Sequence, residues 1–591
     1  MIHLKLGLVA WSLCGTLAAT AQTEHILPLL QSVGQPFLKT TGDTLNLPFE
    51  DDFSAFSAAP ASRWWVDNKA SVNRTMGLDE RTLGVATLDG LDELGFPYDP
   101  TDNTSDTLAD VLTSRYINLL PSQNGLWLTF FYQNGGRGER AEPDDTLVLD
   151  FWSPATQTWN RAWDTTGGPA MTTFRAVAVA IADPQYKNPG FRFRFGGKGA
   201  RNGQFDVWNI DYVQLGAGRS AADTSIVDPG FTRWHPSLIN GFESIPGFHY
   251  KDTLFQKSEF DLFYRKNGPP GSANINLRKF NLKYNGTIIA SQNGVPFNTG
   301  PFDVENLLTV PFPVFNIPGP RPPEFELEMT SIMDGANDGI RTNDTIQRLQ
   351  VFRNYYAYDD GSAERGYGVT NFSGAKTAMA WQPVQPDSLK GIYLYFAQAG
   401  NDPTTTGFRI GVWNNNQGFP GTLIYLSDSV YKPVRSEANV YLPYALDTAI
   451  YINGPVFIGV QQSGTIPLNI GFDVNNVNAT TLFYGNSFTW FPSLFSGTLM
   501  LRPYVRYQPL DLSVPEPEPI RVLFYPQPAK HRLFARGMPA HEAYQVIDLQ
   551  GRILLKGPSF PVEEGLDVQG LQPGMYLLQT RLMRASFLVA P

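Results

Sequence analysis

The sequence predicts an all-β protein made of tandem β-sandwiches, and three observations predict it. Period-two alternation recurs along the chain, as in "FRFRF" (191–195), which sets Phe191, Phe193 and Phe195 on one face and Arg192 and Arg194 on the other. Glycine (54) and proline (46) are plentiful and gather in turn signals such as "QNGG", "NNNQGFPG" and "FNTGP". Aromatic residues make up 13% of the 591 residues, a composition suited to pleated, half-buried surfaces, and no long amphipathic helix stands out. Many short strands joined by Gly/Pro turns indicate sandwiches. With 42% hydrophobic and only 17% charged residues, the chain has the material for packed cores and not for disorder.

The N-terminus, "MIHLKLGLVAWSLCGTLAATAQ", comes first. One lysine (Lys5), an apolar run from Leu6 to Leu17 and Ala19-Thr20-Ala21 form a secretory signal pattern, so residues 1–21 are expected to be cleaved after Ala21. No other stretch reaches the ~18 apolar residues of a membrane-crossing helix, so the mature chain is expected to have no transmembrane segment. The single cysteine, Cys14, lies inside this signal, and bulky Leu13 before it argues against lipid attachment. A mature chain without thiols has no disulfides, no thiolate nucleophile and no cysteine-bound zinc. The net charge of −10 and the lack of a basic stripe argue against nucleic acid as a partner.

The remainder divides into four units. Residues 45–216 contain the strands "WLTFFYQ" (127–133), "TLVLDFW" (146–152) and "FRFRF". Residues 225–352 have a proline-rich interior, and residues 354–508 contain "IYLYF" (392–396), "FRIGVW" (408–413) and "VFIGVQQ" (456–462). A Pro/Glu linker (509–520) should be extended and semi-rigid. The last unit, 521–591, reads as a small antiparallel sandwich, with an extended entry at Tyr525-Pro526, a hairpin turning at Gln550-Gly551 and a second turn at Pro573-Gly574.

That last unit resembles the type A C-terminal sorting domain of type IX secretion cargo. The matching residues are Tyr525, Pro526, Pro528 and Ala529, then Asp548, Gly551 and Arg552, then Leu571, Gly574 and Tyr576, and the terminal Phe587-Leu588-Val589. Gln527 departs from the family's usual asparagine, and Arg581 and Arg584 stand where lysines are common. The resemblance implies Sec export, then passage through the type IX machinery to the medium or the outer cell surface.

The first unit opens with "LPFEDDFSAFSAAPASRWWVDN" and closes with "GQFDVWNIDYVQL". These edges resemble jelly rolls of the MAM and carbohydrate-binding-module type. In that class, acidic groups on the adjacent first and last strands often hold a structural calcium. The resemblance points to Glu50 and Asp211, with Asp52 and Asp206 as further ligands, and hard carboxylate oxygens suit Ca²⁺. Trp64, Trp65, Trp127, Trp152, Trp159, Trp163 and Trp208 all fall here, most of them expected in the core and any exposed one a platform for a sugar ring. Arg192 and Arg194 are either a solvated strand face or a site for an anionic ligand.

The second unit reads as an Ig-like or fibronectin-like spacer. In the third, "YAYDDGSAERGYG" (356–368) is the densest polar-aromatic stretch, and Asp359, Asp360 and Glu364 lack the spacing of an EF-hand loop. Asp-Thr or Asp-Ser followed by a small or aliphatic residue recurs at Thr44, Thr107, Thr146, Thr253, Thr345, Ser388, Ser429 and Thr448. This resembles the O-glycosylation motif of bacteria that use type IX secretion, and it is also ordinary turn-to-strand chemistry.

No H-E-x-x-H, G-x-S-x-G or Walker loop is present, and His25, His235 and His249 stand in no recognisable catalytic context. The sequence therefore favours a non-catalytic secreted or surface protein that adheres to or binds extracellular polymer such as polysaccharide or surface glycan. The alternatives are a glycosidase-like hydrolase using paired carboxylates and a purely structural surface-layer spacer.

Overall fold

The computed structural model describes residues 23–33, 44–505 and 523–590, apart from short breaks of which 295–300 and 537–542 are the longest. The signal (1–21), the linker (509–520), Thr253 and Gly551 lie outside the described residues. Strands dominate, and the described residues contain no α-helix, only 3-10 turns such as Pro184–Tyr186. By spatial clustering the chain forms two compact units, Met1–Tyr507 and Gln508–Pro591.

In the larger unit the first sandwich faces two antiparallel sheets against each other. One runs Arg175–Ala180, Trp127–Asn134, Trp208–Gly216, Val85–Leu88, Ser71–Asn73, with Phe49–Asp51 also paired to Trp208–Gly216. The other runs Leu108–Thr113, Pro189–Lys198, Thr146–Ser153, Thr158–Thr166. The alternation of "FRFRF" decides the burial: Phe191, Phe193 and Phe195 are fully buried between the sheets, where they meet Phe49, Phe130 and Trp65. Trp65 packs edge-on against Phe49 at 5.2 Å, and its indole N–H donates to Asp51 Oδ2 at 2.6 Å. Each such side chain contributes roughly 1.5–3 kcal/mol of burial.

The next segment supplies a three-stranded sheet (Asp228–Phe231, Glu259–Asn267, Glu305–Pro311) and a four-stranded one (Thr287–Gly294, Asn274–Tyr284, Phe325–Ala336, Thr345–Phe352). Residues from Tyr356 to Val505 supply a six-stranded and a three-stranded sheet. These second and third sandwiches share one apolar cluster, running from Phe231, Phe260 and Phe352 through Tyr356 and Trp381 to Phe472 and Val505. A third sheet of this region recruits the N-terminal strand. Thr23–Leu27 pairs antiparallel with Arg365–Thr370, from Thr23 opposite Thr370 to Leu27 opposite Gly366. The Tyr367 hydroxyl donates to Glu24 Oε2 at 2.7 Å, and the Leu494 N–H donates to Glu24 Oε1 at 2.6 Å.

The smaller unit is a sandwich of three strands (Leu523–Tyr525, Arg532–Arg536, Leu566–Asp567) and four (Ile553–Gly557, Tyr544–Ile547, Gly574–Gln579, Arg584–Val589). Ala529, Val546, Val568 and Leu578 are fully buried in its core.

Candidate functional site

The outward face of the first sandwich's four long strands carries the arginines and two of the tryptophans. Cross-strand register places Arg192 opposite Trp152, and Trp152 opposite Trp159. One step along, Arg194 is opposite Asp150, and Asp150 opposite Arg161. Because side chains alternate between faces, these six share the solvent side of the sheet. The Trp152 and Trp159 rings lie 5.4 Å apart, and both are half-buried. The Arg194 guanidinium sits 4.4 Å from the Trp159 ring centre, and that of Arg192 sits 4.7 Å from the ring of Tyr116, itself 44% exposed. Asp150 accepts from Arg161 Nε at 2.8 Å and from Arg194 Nε and Nη2 at 3.1 Å. Two guanidiniums thus lie over aromatic rings, those of Arg192 and Arg194, while Asp150 ties Arg194 to Arg161, which also meets Asp164 at the edge. Such a surface can stack on an apolar ring face and donate hydrogen bonds to oxygens beside it.

The other tryptophans of this unit are placed differently. Trp65 and Trp208 are core, and Trp64 and Trp163 pack on the core from its margin.

A second feature opens where the first, second and third sandwiches meet, a cleft of about 1000 Å³. Its lining includes Arg74, Glu80 and Arg137 from the first sandwich, Arg233, Trp234, Glu243, Glu305 and Arg348 from the second, and Asp360 from the third. Arg74 lies over the Trp234 ring at 4.3 Å. Glu243 pairs with Arg348, and Glu305 accepts from Arg233 Nε at 3.0 Å. Burial pushes the Glu80 carboxyl up to about 7, against the pull of Arg137 and Arg74. Asp360 is also raised, by burial first, while its hydrogen bonds to Ser362 oppose the shift. The cleft therefore holds a buried carboxyl, that of Glu80, whose pKa lies near neutral pH.

Trp234 and this cleft escaped the sequence reading. The only signal was the cluster Arg233-Trp234-His235 in an otherwise uninformative unit, and the lining comes from segments that the chain order keeps far apart.

His235 and His249 sit in packed surroundings. His235 is buried against Phe260, and burial drives its imidazole down to about 3, so it is neutral. His249 is sandwiched between Tyr356 Oη at 2.7 Å and Asp387 Oδ2 at 2.8 Å.

The four expected calcium ligands fall in three places. Glu50 is turned to Gln214, whose Nε2 donates to it at 2.5 Å. Asp52 is buried and accepts from Ser54 Oγ at 2.7 Å, Thr82 Oγ1 at 3.0 Å and Asn343 Nδ2 at 2.9 Å. Asp211 is buried and accepts from the Arg81 N–H at 3.2 Å; burial pushes its carboxyl up, and the charges of Asp52 and Glu80 add to that. Asp52 and Asp211 are therefore electrostatic neighbours with Glu80, while Asp206 lies elsewhere. Among the described residues, the one group of three or more possible ligands whose atoms all lie within 4.8 Å of one another is Glu139, Glu142 and Asp206.

No protein-family model matches the chain, and no curated protein matches its sequence. Among solved structures, a glycoside hydrolase domain of Endo-D from Streptococcus pneumoniae R6 aligns with 52% of this chain and 43% of that one, at 9% identity and a TM-score of 0.19. The chain thus spans less than half of that domain's length, and a likeness this slight carries no argument.

In the smaller unit, Tyr525 is half-exposed and stacks on Phe534 at 5.6 Å, and Pro526 and Pro528 are exposed. Buried Ala529 bridges to the last strand through the Leu588 and Ala590 backbones. Asp548 accepts from Arg552 Nε at 2.7 Å across the turn whose tip, Gly551, is not described. Leu571 packs on the core, Gly574 opens the strand to Gln579, and the hydroxyl of buried Tyr576 donates to the Gln572 carbonyl at 2.6 Å. Of the candidate glycosylation residues, Thr44, Ser429 and Thr448 are exposed, whereas Thr107, Thr146, Thr345 and Ser388 are half-buried.

Proposed function

We propose that the chain is a non-catalytic extracellular binding protein whose first sandwich adheres to polysaccharide, with a preference for sugars bearing carboxylate or sulfate groups. The observation that carries this reading is the paired Trp152 and Trp159 on an outward sheet face, flanked by guanidiniums that stacking and Asp150 hold in place. A rigid aromatic surface binds a sugar ring at low entropic cost, and fixed arginines add selectivity for anions. Export through Sec and then the type IX machinery, directed by the C-terminal unit, belongs to the same reading. So does glycosylation at the exposed Thr44, Ser429 and Thr448.

The test is affinity electrophoresis of the purified chain against neutral and acidic polysaccharides, with reducing-end release assayed in the same samples. Retardation by an acidic polymer without sugar release supports the reading. Absence of retardation by any polymer sinks it. A second reading, an extracellular glycosidase, is favoured by Glu80 and Asp360, two carboxyls of raised pKa that line the central cleft. Sugar release that Glu80→Gln abolishes would replace the first reading with this one.

A further inference from the structure

The "QNGG" turn sends the chain out of strand Trp127–Asn134 into a loop that returns at Thr146–Ser153. Gly136 takes a φ of 62° there, and a Cβ at that position would collide with the Met76 carbonyl oxygen, so the tight exit is a glycine's. The loop carries Glu139, Glu142 and Asp145. Glu139 and Glu142 each bring a carboxylate oxygen within 4.8 Å of one another and of Asp206, which sits just before strand Trp208–Gly216.

Asp145 is an independent observation. Its side chain is buried, with the residue 2% exposed. Oδ2 is fixed by the Glu142 N–H at 2.7 Å, no N–H or hydroxyl donates to Oδ1, and the carboxyl lies within hydrogen-bonding reach of that of Asp206. Asp145 is a close charge neighbour of both Asp206 and Glu139, so the orphaned oxygen belongs to the same cluster. A buried carboxylate oxygen without a donor is costly unless something positive meets it. The basic groups acting on Glu139 are Arg140 and Arg365, and Arg140 also donates to the Gly168 carbonyl at 2.9 Å.

We propose that Glu139, Glu142, Asp145 and Asp206 form a calcium site at the edge of the first sandwich. The donor set is all oxygen, which fits a hard cation and lacks the imidazole and thiolate ligands that favour zinc or copper. Carboxylates that each contribute one or two oxygens suit the 6–8 ligands of Ca²⁺ better than the strict octahedron of Mg²⁺. Arg365, which acts on Glu139, opens the strand that pairs with the N-terminal strand, so the cation would sit where the first and third sandwiches meet. Only Asp206 is shared with the strand-edge site expected from the sequence.

The test is calcium titration of the full chain after chelator treatment, by calorimetry and by terbium luminescence, for which Trp208 is a sensitiser two residues from Asp206. The expected result is saturable binding of one ion and a higher melting temperature in calcium than in chelator. Asp206→Asn and Glu142→Gln should each weaken binding by at least about tenfold, while Glu50→Gln leaves it unchanged. Glu142 is only half-buried, so its variant reports even where Asp206→Asn fails to fold. No saturable calcium binding to the wild-type chain, or undiminished binding in Glu142→Gln, overturns the proposal.

Discussion

Trp152 and Trp159 are half-buried on a sheet whose core side is filled by other residues, so truncating them tests binding with little effect on folding. Either change to alanine should weaken polysaccharide retention about tenfold, or ~1.4 kcal/mol, and alter unfolding free energy by no more than about 1 kcal/mol. Affinity electrophoresis and urea unfolding on the same preparations check both parts. Asp359 is the opposite case. It is fully buried, forms an ion pair with Arg502 at 2.5 Å and accepts from the Tyr441 hydroxyl. Asp359→Ala strands a buried guanidinium and should cost about 3–5 kcal/mol in urea unfolding. Asp51 gives a pH dependence. Burial raises its carboxyl to about 7, against the Trp65 hydrogen bond. A folded pKa above the unfolded one means that the native state binds more protons. Stability from this group is then complete below about pH 4 and lost as pH rises through about 7. The span is on the order of 4 kcal/mol. Asp51→Asn keeps an acceptor for Trp65 and should flatten the fall in melting temperature between about pH 4 and 7.

At the scale of elements, the alternating pattern of "FRFRF" was enough to assign both faces of its strand, because a period of two admits only two choices. The hairpin pairing Tyr544–Ile547 with Ile553–Gly557 was legible for the same reason, its turn residues being flanked by alternating apolar ones. The platform was half legible. Trp152, Arg192 and Arg194 could be named, but their meeting with Trp159 and Arg161 depends on a register that includes an irregularity between Leu149 and Asp150. The acidic cluster of Glu139, Glu142 and Asp206 was less so. An acidic residue near a strand end does not reveal which way its carboxylate turns, and Glu50 turns to Gln214. The role of "TEHIL" was hidden altogether, because its partner strand begins more than 330 residues later. Removing residues 22–30 would bare the edge of Arg365–Thr370. The truncated chain should melt earlier and elute as larger species in size exclusion, and an unchanged profile would contradict this role.

At the scale of the whole molecule, the shared apolar cluster makes the second and third sandwiches one cooperative body, while the smaller unit has a core of its own. Calorimetry should resolve a separate transition for 521–591, and deleting that segment should leave the main transition in place. In a host with type IX secretion, the same deletion should hold the chain in the periplasm, as fractionation would reveal.

The N-terminal strand also sets a timetable. A chain that crosses a membrane N-terminus first presents Thr23–Leu27 at the start of its passage and Arg365–Thr370 well past the midpoint. Ile470–Asp473, on the other side of Arg365–Thr370, arrives later still. The sheet is thus among the last structures to close, and its loop-closure entropy must be met before any of its hydrogen bonds reward it. Through that interval Thr23–Leu27 waits as a single unpaired strand, the form in which an export chaperone or a protease would meet it.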